Sequence, residues 1–343
     1  MHGYLLVKPS QVVFLGDGLE KVDGVKTDFL KNVGKYIGKK ESLEVFSDFT
    51  YGEVKYIRIK NKELRIRVSV KRDPVDYQRV VKEPGEIANV KKSMQIVERV
   101  FGLVKKELRR SAGSRPALTE IKLAKFIESS GLKMGANDLS FPAIVASGAN
   151  AAVPHHVPSA KKIKAGESII IDFGFKYKNY CSDFTRTVFL HHAPKKLAEA
   201  YNQVQKAYNE SIEFVSLRGS ASDRNNLFSK GLPRPSDALG ARNDREVQAG
   251  DIYQKSVDVL KEKHLEKYFI HSLGHGTGLE IHELPNLSPG SKDVMLDNMV
   301  FSIEPGVYIS GLGGIRIEDL VYLEGGKVKK FINVSTKLKD NIL

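Results

Sequence analysis

The alternation of apolar and polar residues changes character near residue 78 of this 343-residue chain. Before that point, short alternating runs at 3–15, 54–59 and 64–70 predict strands, and the stretch 27–37 has the spacing of a helix. Residues 1–78 are therefore expected to form a small α/β lobe. No combination of residues within this lobe indicates a chemistry.

Residues 79–343 predict a second domain that mixes helices and strands. A linker at 79–87 leads through Pro84 into a helix of about six turns, whose apolar residues recur at helical spacing from Ile87 to Val104. The same reasoning predicts helices at 118–129, 197–215 and 252–264, strands at 168–173, 183–190, 299–309 and 314–323, and a turn at Lys178-Asn179. Helices beside a largely antiparallel sheet are typical of the α+β class.

The segment 219–250 interrupts this domain with a different composition. It is rich in Ser, Asn, Asp, Gly and Arg, contains Pro233 and Pro235, and shows no periodicity. This pattern predicts a flexible surface insertion. A substrate lid or a partner-binding loop is the functional alternative.

Two aspartates stand at the ends of strongly apolar strands. Asp172 follows Ile169-Ile170-Ile171, and Asp183 lies beyond the predicted turn, where a hairpin would place it on the neighbouring strand. Two buried carboxylates side by side repel each other, so one must hold a proton unless cations lie between them. The pair alone is equally consistent with a metal site and with two satisfied structural acids.

Two glutamates repeat this pattern near the end of the chain. Glu304 ends the run Phe301-Ser302-Ile303, and Glu318 follows Ile315-Arg316-Ile317, with Arg316 and Glu318 on one face of the strand. A buried Arg–Glu ion pair without a ligand is the alternative, and it costs desolvation. Four strand carboxylates that face one interior indicate a site for divalent cations.

A nitrogen ligand is available in the glycine-rich segment between 271 and 282. This segment contains His271, His275 and His282, and its glycines allow the backbone to approach closely. The order Asp, Asp, His, Glu, Glu suits two ions about 3.5–4 Å apart, bridged by carboxylates and a hydroxide.

Together these motifs resemble the pita-bread metallopeptidases, and within them the aminopeptidase P and prolidase group. The resemblance covers about 79–343 apart from the insertion, and it implies a pita-bread catalytic domain behind a small, shortened α/β N-terminal domain. The motifs that carry it are Asp172-Phe173-Gly174, Ser182-Asp183-Phe184-Thr185-Arg186-Thr187, the segment 271–282, Glu304-Pro305-Gly306 and Arg316-Ile317-Glu318-Asp319.

The resemblance implies the cofactors and the reaction. Two divalent ions, Mn²⁺, Co²⁺ or Zn²⁺, would bind to the five residues of the motifs, and a hydroxide bridging the ions would hydrolyse Xaa-Pro bonds in short proline-containing peptides. The implied metal ligands are Asp172, Asp183, His275, Glu304 and Glu318.

It also implies roles for residues around the ions. His155 matches a substrate-binding histidine, with the adjacent His156 as the alternative. His271 and His282 match a pair that contacts substrate and stabilises the tetrahedral intermediate, with His282 at the oxyanion. Arg316 matches an arginine that supports a ligand carboxylate, and Glu304 is the candidate proton shuttle.

Two departures from the family pattern bear on substrate and assembly. The N-terminal lobe before the motif formed by Arg79, Lys82, Glu86 and Ile87 is shorter than in relatives, which leaves the expected homodimer open. Asn286 stands where several prolidases carry an arginine for the carboxylate of a dipeptide, although Lys292 could replace it. The sequence thus leaves a dipeptidase and a longer-peptide aminopeptidase both open.

Composition bears on nucleic-acid binding, on membrane insertion and on the expected compartment. The net charge of +13 arises from scattered lysines without interleaved aromatic residues, which does not indicate nucleic-acid binding. No apolar run approaches the roughly 20 residues of a membrane span, no signal peptide is recognised, and the single cysteine, Cys181, fits a reducing compartment, so a cytoplasmic protein is expected. A methionine aminopeptidase-like enzyme and a catalytically silent pita-bread binding module remain as alternatives.

Overall fold

The structure is a computed structural model, and it describes residues 3–8, 11–16, 26–29, 42–46, 67–71, 74–111, 117–218 and 247–343. The chain divides into two compact units, Met1–Asp76 and Tyr77–Leu343. No helix in the described ranges is long and apolar enough to cross a bilayer.

The first unit contains short strands. Strands β1 (Gly3–Lys8) and β2 (Gln11–Gly16) pair antiparallel, β3 (Lys26–Phe29) pairs parallel with β2, and β4 (Ser42–Phe46) pairs parallel with β5 (Arg67–Lys71). The predicted helix at 27–37 is wrong at its start, because Thr27 to Phe29 pair with Phe14 to Gly16; strand pairing overrides the local spacing. The rest of that stretch and the predicted strand at 54–59 lie outside the described residues.

Helix α1 (Pro74–Val80) begins in the first unit and ends in the second, and α2 (Pro84–Ser111) belongs to the second. The two helices occupy most of the predicted linker, and α2 extends beyond the expected six turns at its C-terminal end. Helix α3 (Glu120–Lys133) starts later than predicted because Thr119 caps it: its hydroxyl accepts from the Lys122 amide at 3.4 Å.

Strands β6 to β11 follow: β6 (Asp138–Leu139), β7 (Ile144–Ser147), β8 (Ser168–Asp172), β9 (Phe175–Tyr177), β10 (Tyr180–Cys181) and β11 (Phe184–Phe189). The predicted turn at Lys178-Asn179 is confirmed. Both residues have positive φ, 47° and 68°, as a tight two-residue hairpin between β9 and β10 requires.

Helices α4 (Lys195–Arg218) and α5 (Ala249–Lys261) come next, and then β12 (Gly274–Gly276), β13 (Glu283–Leu287), β14 (Val300–Ile303), β15 (Gly306–Ile309), β16 (Gly313–Arg316), β17 (Glu318–Glu324) and β18 (Lys327–Lys330). The predicted insertion lies outside the described residues except at its end, where Val247 is buried and α5 has already begun at Ala249.

One eight-stranded antiparallel sheet organises this unit. Its order is β13-β12-β14-β17-β11-β8-β7, and β18 pairs with β17. The apolar faces of α2 and α3 pack with β8 and β11 in one core, whereas α4 and α5 pack with β14 to β17 in another. Helices over a large antiparallel sheet confirm the α+β class.

The two long strands predicted near the C-terminus are each broken in two. The run 299–309 is interrupted at Glu304-Pro305, and the run 314–323 is interrupted at Ile317. Strands β14 and β17 belong to the large sheet, whereas β15 and β16 pair only with each other. The breaks coincide with the glutamates that the sequence analysis singled out.

Candidate metal centre

The four candidate carboxylates lie at two forks in the large sheet. At the first fork, β8 and β11 separate beyond the pair Asp172–Thr185, and the intervening chain forms the β9–β10 hairpin. At the second, β14 and β17 separate beyond Ile303–Asp319, and the chain forms the β15–β16 hairpin. Each fork therefore presents one acidic residue from either branch: Asp172 with Asp183, and Glu304 with Glu318.

The two forks are neighbours because β11 pairs with β17. In that ladder Thr185 lies opposite Glu318, and on its other side it lies opposite Asp172. The Thr185 hydroxyl donates to Glu318 Oε2 at 2.6 Å and accepts from Arg316 Nε at 3.2 Å. One threonine thus joins both forks.

His275, on β12, brings its ring to the same interior. Its Nε2 lies 3.5 Å from Asp183 Oδ2 and 3.4 Å from Glu304 Oε1. Its Nδ1 lies 3.0 Å from the Gly276 carbonyl, which can only accept, so Nδ1 carries the proton and Nε2 presents a lone pair. Burial lowers the pKa of His275 to about 4, which keeps the ring neutral. A lone pair that faces two carboxylates is the arrangement of a ligand set around a cation.

Three of the four acidic groups, Asp172, Asp183 and Glu318, are buried, and their hydrogen bonding is incomplete. Within the described ranges, Asp172 Oδ1, Asp183 Oδ1 and Glu318 Oε1 are buried without a hydrogen-bond partner. Ligand atoms of Asp183, His275 and Glu318 all lie within 4.8 Å of one another. These orphaned oxygens and the Nε2 lone pair fit a divalent cation.

The electrostatics of the four acids agree with this geometry. Burial, followed by repulsion from Glu318, Asp172 and Glu304, raises the pKa of Asp183 well above its usual value. Burial and the nearby acids likewise raise the pKa of Glu318, and they raise that of Glu304 to about 8. Burial also raises the pKa of Asp172, against the opposing charge of Arg316. Cations would remove this repulsion.

Arg316 contacts one candidate ligand directly. Its Nη2 lies 2.6 Å from Asp172 Oδ2, and its Nη1 donates to the Tyr308 hydroxyl at 2.7 Å. Its buried partner is therefore Asp172, on the other fork, and the Arg–Glu ion pair considered from the sequence does not form with Glu318. The charge holds Asp172 in one orientation.

The three candidate histidines occupy different positions. His282 is exposed, and its ring lies edge-on to His275 with centroids 4.4 Å apart. His155 is exposed as well, and its charge acts on the pKa values of Asp172, His271 and His282. His156 instead contacts the buried carboxylate of Glu120 at 2.9 Å. Of the adjacent pair, His156 is therefore the one that contacts Glu120, and a substrate-binding role for His155 stays a prediction.

His271 is more enclosed than the resemblance implies. Its Nδ1 donates to the Ser272 carbonyl at 2.7 Å, and its Nε2 lies 2.9 Å from the Tyr308 hydroxyl. Burial lowers its pKa to about 4. Both ring nitrogens contact other protein groups. His271 is therefore connected to the candidate ligand Asp172 only indirectly, through Tyr308 and Arg316.

Sequence reasoning gave no role to three residues that complete this environment: Thr185, Tyr308 and Glu120. Thr185 lies two positions after Asp183, so the period of two along a strand could have placed it on the same face. Tyr308 follows Glu304 by four positions, but the strand is broken between them. Glu120 stood at a predicted helix start, where an acidic residue is ordinary. Its burial was the missing signal.

The sequence resembles that of known metallopeptidases. The sequence pattern of Metallopeptidase family M24 matches residues 88–227 and 237–324. A putative Xaa-Pro aminopeptidase of Mycoplasma pneumoniae is 34% identical over 248 residues, which are 72% of this chain and 60% of that protein. The Xaa-Pro dipeptidase of Pyrococcus furiosus is 28% identical over 347 residues, 98% of this chain and 88% of that protein.

A solved structure extends the likeness to the fold. The prolidase from Pyrococcus furiosus superposes with a TM-score of 0.74 at 27% identity, and the alignment covers 97% of this chain and 90% of that one. The likeness confirms the predicted pita-bread fold. The chain spans about 60% of the length of the Mycoplasma relatives that it matches. Since the family pattern covers well over half of the sequence, this chain belongs to metallopeptidase family M24.

Proposed function

We propose that this protein is a metal-dependent peptidase that hydrolyses Xaa-Pro bonds in short peptides. The observation that carries the proposal is that ligand atoms of Asp183, His275 and Glu318 lie within 4.8 Å of one another, and that Glu304 Oε1 lies 3.4 Å from His275 Nε2. The names of the relatives, Xaa-Pro dipeptidase and Xaa-Pro aminopeptidase, support the substrate class over the methionine aminopeptidase-like alternative. All five ligand candidates are present, which speaks against a silent binding module.

The ligand set would hold two divalent ions, Mn²⁺, Co²⁺ or Zn²⁺. Asp172, Asp183, Glu304 and Glu318 supply oxygens and His275 supplies nitrogen, a mixed set that all three metals accept. When bound, such ions would lower the pKa of a coordinated water so that hydroxide is available near neutral pH, and they would polarise the scissile carbonyl.

The surrounding side chains position and exchange protons. The side chain of Glu304 is 16% exposed and that of Asp183 is 7% exposed, so Glu304 is better placed to pass a proton to the leaving amine. Ser302 holds Glu304 Oε1 by a hydrogen bond of 3.2 Å. His282 and His155, both exposed beside the centre, would contact the peptide, and His282 would stabilise the oxyanion.

Substrate hydrolysis tests this proposal. Protein loaded with Mn²⁺, Co²⁺ or Zn²⁺ is expected to cleave Ala-Pro and Met-Pro, and to leave Ala-Ala uncut under the same conditions. Protein stripped of metal by a chelator should be inactive and should recover when metal is restored. A metal-loaded protein that leaves a panel of Xaa-Pro peptides intact would contradict the proposal and favour the binding module.

A second comparison addresses the length of the substrate. Asn286 is exposed and lies opposite His275 in the β12–β13 ladder, where it offers no charge to a dipeptide carboxylate. Ala-Pro and Ala-Pro-Ala should therefore be compared on the same preparation. A lower kcat/KM for the dipeptide identifies an aminopeptidase, whereas a clear preference for Ala-Pro identifies a dipeptidase.

A further inference from the structure

The proposed mechanism makes no use of Arg79 and Lys82, two cations that precede helix α2. Both contact the carboxylate of Glu283. Arg79 Nη2 and Nε lie 2.6 and 3.1 Å from Glu283 Oε1, and Lys82 Nζ lies 2.9 Å from Oε2. A carboxylate held through both oxygens has little freedom to rotate or shift.

This cluster is buried. Lys82 is 1% exposed, and the side chain of Glu283 is 5% exposed. Burial lowers the pKa of Lys82 despite the attraction of Glu283. For Glu283, Lys82 and Arg79 outweigh the effect of burial and lower the pKa. Since a buried charge that loses its partner is strongly unfavourable, the geometry of the cluster is tightly determined.

We call residues 277–283 the His282 segment. Hydrogen bonds to the Glu283 carboxylate hold this segment in place. Glu283 Oε1 also accepts from the Glu280 amide at 3.1 Å, and the Thr277 hydroxyl donates to the Ile281 carbonyl at 3.0 Å. A Cβ on Gly278 would lie 2.5 Å from Glu283 Oε2, so any larger residue there would displace the Glu283 carboxylate. The segment is folded around the Glu283 side chain.

Glu86, the third charged residue of the motif formed by Arg79, Lys82, Glu86 and Ile87, acts on the chain beside the His282 segment. Glu86 Oε2 accepts from the Glu83 amide at 2.7 Å, and its Oε1 accepts from the Tyr180 hydroxyl at 2.9 Å. The residue after Tyr180, Cys181, donates its amide to the Gly278 carbonyl at 2.7 Å. All three charged residues of the motif thus act on the His282 segment or on the strand beside it.

His282 immediately precedes the anchored residue. Its ring lies 4.4 Å from that of His275, so a displacement of Glu283 moves the imidazole relative to the ligand set. A shift of about 1 Å at a reacting group can reduce a rate by roughly a hundredfold. The position of the Glu283 carboxylate therefore affects the position of the His282 imidazole.

We propose that Arg79 and Lys82 are positioning residues for His282, which they hold beside the metal centre through the carboxylate of Glu283. This inference rests on the proposed peptidase function for its kinetic test, but its geometric content is independent of the substrate. The backbone contacts at the same place, such as the Lys82 amide to the Asn298 carbonyl at 2.9 Å, do not require either side chain.

Arg79→Gln is the sharpest test because this side chain is 22% exposed and its loss should leave the fold intact. On the metal-loaded full chain we expect kcat for Ala-Pro to fall by about 10- to 100-fold, with KM changed by less than about threefold. Arg79→Lys, which keeps the charge and loses the fork, should recover part of kcat. Lys82→Met should act in the same direction.

A surface variant provides the matched control. Arg110 pairs with Glu107 at 2.7 Å near the end of α2, and its side chain is 75% exposed. Arg110→Gln removes a guanidinium–carboxylate contact of the same chemistry far from the His282 segment in the sequence. It should leave kcat and KM unchanged.

A spectroscopic readout separates failure of this inference from failure of the proposed function. In protein labelled with ¹⁵N-histidine, the ring signals of His282, assigned with His282→Gln, should shift or broaden in Arg79→Gln and stay fixed in Arg110→Gln. That result supports the inference even if no Xaa-Pro peptide is cut. Unmoved His282 signals together with an unchanged kcat, or with a loss confined to melting temperature, would overturn it.

Discussion

Buried carboxylates occur in two kinds of place in this protein, and the contrast explains the metal centre. Glu120 and Glu283 anchor the segments that carry His155 and His282, and their oxygens are satisfied by several donors. Asp183 and Glu318 are buried to a similar degree, yet each retains an oxygen without a partner. Burial therefore does not distinguish a candidate metal ligand from an anchor in this protein. The distinguishing feature is a carboxylate oxygen without a hydrogen-bond partner.

The pKa values run in opposite directions in the two places. At Glu120, burial favours the protonated acid, but hydrogen bonds from Ser159, His156 and Ser147 outweigh it and lower the pKa to about 2. At Glu304, burial dominates and the charge of Asp172 adds to it, against the opposing charge of Arg316, so the pKa rises to about 8. Donors surround each anchor, whereas at the centre the charge of Arg316 does not offset the burial of the acids and their mutual repulsion.

The largest effect is expected from removing one acid of the centre. Asp183→Ala should lower the activity by roughly 10³-fold or more, since losing a metal contact removes several kcal/mol of transition-state stabilisation. The measurement is kcat/KM for Ala-Pro together with metal content after dialysis. Asp258→Ala, on the exposed face of α5, is the control and should change neither. Normal turnover and full metal content in Asp183→Ala would erase the distinction between the two places.

An intermediate effect is expected from neutralising an anchor. Glu120 accepts from Ser147, Asn150 and Ser159, so in Glu120→Gln an amide NH₂ would face groups that donate. The free energy of unfolding should fall by about 2–4 kcal/mol, because buried polar groups lose their partners. Urea denaturation of metal-free protein measures this change. Glu107→Gln on α2 should cost less than about 1 kcal/mol, and equal losses would show that Glu120 anchors nothing.

The third effect is a pH dependence of the metal-free protein, which is spread over several pH units. The pKa of Glu304 is about 8 when folded and ordinary when unfolded, so the folded state holds more protons and stability declines as pH rises from about 5 to about 8. One such group contributes a slope of up to about 1.4 kcal/mol per pH unit. The anchor Glu120 adds no slope there, because its stabilisation is complete above its ordinary pKa and is lost only as pH falls towards about 2. Urea titrations at pH 5, 6, 7 and 8, with and without Mn²⁺, measure the slope; a flat profile without metal would contradict the raised pKa.

The sequence predicted those parts of the fold whose patterns are local. The period of α2, the turn at Lys178-Asn179 and the apolar runs before Asp172 and Glu304 depend on neighbouring residues, so they were visible without the structure. The acids were noticeable because they interrupt strands that are otherwise apolar.

What the sequence could not predict depends on pairing between distant segments. The breaks at Glu304-Pro305 and Ile317 arise because β15 and β16 leave the large sheet together. Pro305, which has no amide to donate, marks the first break locally, whereas no local signal marks the break at Ile317. The roles of Glu120 and Glu283 depend on donors from other parts of the chain. The proposed functions of the five ligand candidates, His155, His271, His282 and Arg316 remain predictions for the experiments above.

The order of the strands has a consequence for how the chain folds during its synthesis. Strand β11, which carries Thr185, takes its place between β8 and β17, but β17 is synthesised well over a hundred residues later. As the chain leaves the ribosome, Asp172 and Asp183 emerge long before His275, Glu304 and Glu318 exist. The interior that the candidate ligands share is therefore completed only when the last strands are added, and a polypeptide cut short after α4 would contain Asp172 and Asp183 without His275, Glu304 and Glu318.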